Sequence, residues 1–157
     1  MIVAGFDQAW LAAHQAKMAA HRGEPIRPAP SLVEFSIAYP LKLPNTTNGR
    51  HWIAAHGYRK RLGEMVGEAV KPWNGQQPME RARVTITRWS IGVCDADNLV
   101  SSVKPLLDLL LVRSKAHPHS FGLIRDDDPA HVELVVLPGK AASRKEQRTD
   151  VRIERLS

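Results

Sequence analysis

DADNLVSSVKPLLDLLLVRSKAHPHSFGLIRDDD, residues 95–128, is the stretch on which the fold turns. Just before it, residues 82–94 carry Val84 and Ile86, then Trp89, Ile91 and Val93, an alternation that predicts a strand. The apolar parity switches near Arg88, which predicts a bulge there. From about 98 to 112, Leu106, Leu107, Leu109, Leu110 and Leu111 predict a largely apolar helix, with Pro105 as a kink or a fresh start. Gly122 supplies a turn, and Leu123 and Ile124 anchor it to the core. HVELVVL (131–137) then reads as the next strand.

Working outward, Val33, Phe35, Ile37 and Tyr39 alternate with polar residues over 32–39, the pattern of a half-buried strand. Tyr58, Leu62, Met65, Val66, Ala69 and Val70 form one apolar stripe on a helix over about 54–71, which Pro72 ends. Residues 149–156 give a last strand. The order strand, helix, strand, helix, strand, strand predicts an α+β fold, a small mixed sheet packed by two main helices. In front of it, Phe6, Trp10, Ala13, Ala16 and Ala20 suit a short amphipathic helix over 6–21, and PIRPAPS (25–31) reads as an extended linker. The expected division is an N-terminal helical extension and linker, 1–30, and one domain, 31–157.

With 157 residues and 43% hydrophobic composition, the chain suits one domain with its own core. The net charge of +6 favours a polyanionic partner, of which nucleic acid is the commonest. Cys94 is the single cysteine, which excludes an intramolecular disulfide and a four-cysteine zinc site and fits a reducing cytoplasm. MIVAGFDQAW lacks the basic and apolar regions of a secretory signal, and no run of apolar residues is long enough to span a membrane. The expectation is a cytoplasmic protein with no membrane partner.

The chemistry sits among the acids. Asp95 and Asp97, two residues apart in an extended segment, point their carboxylates to the same side. Asp97 alone also suits a helix N-cap, a role that leaves Asp95 unexplained. On a continuous helix Asp97, Lys104 and Asp108 share one face, because their spacings of seven and four residues are near whole turns. Lys104 and Asp108 are either a solvated surface pair or part of a polar cavity. Asp126, Asp127 and Asp128 are either a solvated turn before Pro129 or the source of a third carboxylate. Gathered carboxylates raise one another's pKa unless a cation compensates, and an all-oxygen set suits Mg²⁺, or Mn²⁺, better than zinc. In a basic protein this points to phosphodiester chemistry on nucleic acid.

DxDN at 95–98, KPxxD at 104–108 and Gly-(x)3-DD at 122–127 before a strand together resemble the RusA family of Holliday junction resolvases, found in bacteria and in phages or prophages. The likeness covers roughly residues 32–156. It implies a RusA-like fold and a homodimeric, Mg²⁺-dependent endonuclease that resolves four-way DNA junctions with paired symmetric nicks, in recombination and repair. Matched position by position, it implies Asp95, Asp97 and Asp127 as metal ligands and Lys104 as the essential lysine. Asp108 and Asp126 become supporting acids. One departure stands out: five residues separate Asn98 from Lys104, where familiar members have two. The extra three move the lysine about 4.5 Å along a helix axis.

Phosphate contacts are expected from Arg50, His51, Arg59, Lys60 and Arg61, and from Lys140, Arg144, Lys145 and Arg148 in a loop whose Gly and Ala imply mobility. Solvated surface is the plainer role for such runs. Three other functions fit the same residues less closely. They are a metal-dependent nuclease on flaps, Y-forks or RNA, a non-catalytic DNA-binding protein, and a transferase that holds a nucleotide-sugar through a DxD motif.

Overall fold

A computed structural model describes residues 27–43 and 52–157. The helix expected over 6–21, with Arg50 and His51, lies outside the described residues. Strands β1 (Leu32–Ile37), β2 (Ala82–Ser90), β3 (Val132–Lys140) and β4 (Arg148–Arg155) form one sheet in the order β1-β4-β2-β3. β4 runs antiparallel to β1 and β2, whereas β2 and β3 are parallel. A parallel pair needs a long crossover. Helices α2 (Ala96–Ser102) and α3 (Lys104–Leu110) lie within it, and α1 (Trp52–Ala69) joins β1 to β2. This is the expected α+β architecture, a mixed sheet with helices.

Strict alternation fixes the faces of the sheet. Val33, Ile37, Val84, Ile86, Val151 and Ile153 are buried and meet Leu62 and Val66 of α1 and Leu106 and Leu110 of α3 in one core. Each such side chain contributes roughly 1.5–3 kcal/mol by leaving water. The opposite face is polar. There Arg152 pairs with Glu34 at 2.5 Å and Arg83 with Glu133 at 2.9 Å, both across register partners.

One open choice is decided and two local expectations change. The helix over 98–112 is two helices joined at Val103, and Pro105 opens the second, where its missing N–H costs nothing. Near Arg88 there is no bulge: the β2–β4 register is unbroken from Ala82↔Arg155 to Trp89↔Arg148. The core-facing positions simply become polar at the end of the strand, as Arg88 and Ser90. Lastly, Pro138, Gly139 and Lys140 belong to β3 rather than to a loop. Gly139 leaves room for the Trp89 ring, whose nearest atoms are only 2.5 Å from where a Cβ would stand. Among the described residues no helix is long and apolar enough to cross a membrane.

Candidate functional site

α3 and the segment after it bring the later acids to Lys104. Phe121 N donates to Leu109 O at 2.8 Å, Gly122 N to Leu111 O at 2.8 Å and Leu123 N to Leu110 O at 2.9 Å. The chain thus doubles back on the end of α3, using the positive φ of 74° at Gly122. Arg125 N then donates to Met79 O at 3.0 Å, which pins the segment beside the start of β2. Asp126, Asp127 and Asp128 follow, just ahead of β3.

Lys104 Nζ donates to Asp127 Oδ2 at 2.5 Å and lies 2.8 Å from Asp108 Oδ1. The Asp108 contact is an ion pair outside good hydrogen-bond alignment. Asp108, followed by Asp127, holds the lysine ammonium above its usual pKa. Lys104 in turn holds the Asp127 carboxyl below the usual carboxylate range, against the opposing effect of partial burial. The Asp127 backbone N–H donates to Asp126 Oδ1 at 2.8 Å, so Asp126 props its neighbour. Asp127 thus leaves one oxygen, Oδ1, outside its bond to Lys104.

Asp95 and Asp97 stand at the other end of the crossover. Asp95 takes the N-cap position that sequence alone offered to Asp97: it is extended, with φ −64° and ψ 148°, and its carbonyl accepts from Leu99 N at 2.9 Å. Its carboxylate makes no cap bond. Both aspartates are exposed, and neither carboxylate has a hydrogen-bond or ion-pair partner among the described residues. Asp97 lies on α2 and Lys104 opens α3, so the single face that a continuous helix would give Asp97, Lys104 and Asp108 is interrupted at Val103.

Among the described residues, the carboxylate and imidazole atoms within 4.8 Å of one another belong to Asp126, Asp128 and His131, without Asp95, Asp97 or Asp127. Sequence reasoning misses His131, although its place three residues after Asp128 is a signal the sequence carries. Much of this trio is already engaged. Asp128 Oδ1 accepts from Ala130 N at 2.8 Å and His131 N at 3.1 Å, and His131 Nδ1 lies 2.8 and 2.9 Å from the two Asp128 oxygens. The imidazole contact holds the Asp128 carboxyl below its ordinary range. The set closes a turn into β3.

The basic positions fare unevenly. Arg59, Lys60 and Arg61 are exposed on α1, and Arg144 and Lys145 are exposed in a 3-10 turn before β4. Lys140 Nζ donates to Ile91 O at 2.9 Å. Arg148 is tied down: it donates to Asp150 at 3.1 Å, with its guanidinium 4.5 Å over the Trp89 ring. No family model and no curated protein matches the chain.

Proposed function

We propose that this chain is a divalent-metal-dependent endodeoxyribonuclease of RusA-like type that cuts four-way DNA junctions. The observation that carries the reading is the meeting of Lys104, which opens α3, with Asp108 one turn on and with Asp127 across 23 residues of sequence, within the crossover that Asp95 and Asp97 begin. The residues suit Mg²⁺ in donor type: Asp95 and Asp97 offer unpaired, exposed carboxylates, and Asp127 keeps one oxygen beyond its bond to Lys104. When bound, Mg²⁺ supplies charge neutralisation at the scissile phosphate and acidifies a coordinated water.

The chain's own residues do the rest. Asp95, Asp97 and Asp127 are the holding ligands, and Asp108 and Asp126 orient Lys104 and Asp127. Lys104 is a cation held charged, suited to a non-bridging phosphate oxygen that gains charge in the transition state. Paired nicks require two sites related by symmetry, which a two-fold homodimer provides. Arg59, Lys60, Arg61, Arg144 and Lys145 give backbone affinity without sequence readout.

Incubation with a synthetic four-way junction, with and without Mg²⁺, tests the activity, with linear and forked DNA alongside. Asp97→Asn is expected to abolish cleavage and leave junction binding largely intact. Cleavage by Asp97→Asn at the normal rate removes the ligand assignment. A non-catalytic DNA-binding protein is the second reading, favoured by the bond that already occupies Asp127. It predicts binding without metal and no nicks.

A further inference from the structure

At the end of the sheet where β2 runs out, a cleft of about 390 Å³ is lined by Lys42, Arg88, Arg144 and Gln147 together with Tyr39, Ala38, Pro40 and Leu43. Among the described residues no carboxylate lines it. Among the described residues, none of the three cations has an acidic partner: the ion pairs there engage other lysines and arginines.

Arg88 is built into the wall rather than draped over it. Its Nε donates to Leu41 O at 2.6 Å and its Nη1 to Ser90 Oγ at 2.7 Å, while Nη2 has no acceptor among the described residues. A half-buried guanidinium with two of its nitrogens fixed holds the third, Nη2, as a preorganised charged donor, which suits a phosphate oxygen. Lys42 is likewise placed: its ammonium lies 5.1 Å over the Tyr58 ring, and its backbone N–H donates to the Tyr58 hydroxyl at 3.2 Å. Arg144 closes the rim from the turn before β4.

The walls are wired to the segment that leads into the acids. Ser90 Oγ donates to Gly92 O at 3.0 Å, and Ile91 N donates to Gln147 Oε1 at 3.3 Å. Asp95 follows Ser90 by five residues, a reach of at most about 17 Å in extended chain.

We propose that this cleft binds one phosphate group of a nucleic-acid backbone, with Arg88 Nη2 as the fixed charged donor and Lys42 and Arg144 as flanking cations. It anchors the strand beside the loop that carries Asp95 and Asp97. The assignment rests on the nuclease reading only for its ligand class. It is separable from it, since anchoring needs neither metal nor cleavage.

The test is the salt dependence of DNA binding, measured without divalent metal on a four-way junction and on a linear duplex. The proteins are the full chain, Lys42→Gln/Arg144→Gln, Arg88→Gln and the control Lys71→Gln. The double variant and Arg88→Gln are each expected to bind both DNAs several-fold more weakly. The slope of log affinity against log salt is expected to shrink by about 1, because one phosphate is no longer neutralised by the protein. Lys71→Gln is expected to match the parent. Because Arg88 also holds Leu41, the Lys42/Arg144 double variant is the decisive protein if Arg88→Gln unfolds. An unchanged slope in the double variant overturns the proposal, as does a parent chain that binds no DNA. Inorganic phosphate is titrated in parallel. A shift of the Arg88 Nε–H resonance with phosphate, but no DNA effect of the double variant, assigns a free-phosphate site and overturns the backbone assignment. DNA binding with the expected fall in slope but no cleavage under Mg²⁺ supports the anchor and removes the nuclease reading.

Discussion

Lys104 donates to Asp127 across 23 residues of sequence, with Nζ and Oδ2 2.5 Å apart. Each partner moves the other's titration in the direction that favours its charged form: the lysine upward and the aspartate downward. One bond therefore ties the second helix of the crossover to the acidic turn ahead of β3.

The pH dependence follows from the sign of the aspartate shift. Asp127 is lowered in the folded chain, so its contribution is fully present above the ordinary carboxylate value and disappears as pH falls through the lowered one. The expected result of a carbon-detected carboxyl titration is an Asp127 midpoint below the ordinary range in the parent. Lys104→Gln should move it back up. Identical midpoints in the two proteins would show that the bond is not made in solution.

Lys104→Gln also separates stability from activity. The lysine side chain is 58% exposed, and an exposed ion pair is worth about 0–1 kcal/mol at most. The variant should melt close to the parent. If Lys104 faces the scissile phosphate, cleavage should nonetheless fall by a factor of about 100 or more, the scale for removing one charge-stabilising donor. A parallel modest decline of both properties would mark a structural pair only.

Thr149 makes a buried polar clamp at the start of β4. It is fully buried, donates to Tyr39 O at 2.8 Å and accepts from Leu41 N at 3.2 Å. Thr149→Val keeps the shape and strands both backbone groups. Equilibrium urea unfolding should show a loss of about 1–3 kcal/mol. Because Leu41 O also receives Arg88, the same variant should loosen the arginine, visible as broadening of its Nε–H signal.

How much of this was legible depends on which force decided each residue. The α1 stripe through Tyr58, Leu62 and Val66 is periodic and buried, so the sequence shows it within two residues at either end. Pro105 announced a break but not its kind, because a proline both kinks a helix and starts one. Arg88 misled because a polar residue on a core face imitates a register slip. What distinguishes them is the Leu41 carbonyl, which comes from 47 residues away. Lys104 and Asp108 declared themselves by spacing. That Asp127 completes their cluster depends on the backbone bonds of residues 121–125 to α3 and Met79, contacts that leave no periodic trace.

Gly139 offers the sharpest packing test. A Cβ at this position would stand 2.5 Å from two atoms of the Trp89 ring, well inside contact distance. The ring has little room to yield, since its Nε1 donates to Asp150 Oδ2 at 2.7 Å and Arg148 lies over its face. Gly139→Ala must therefore shift Trp89 or part β3 from β2, where Trp89 and Gly139 are direct register partners. Overpacking of this kind costs about 1–3 kcal/mol. In a Trp89→Leu background the same substitution should cost no more than a few tenths, because the colliding ring is gone. The difference between the two costs, read by denaturant unfolding of all four proteins, is the coupling energy of the contact. Equal costs in both backgrounds would place the penalty in the strand backbone and clear the Trp89 ring of any part in it.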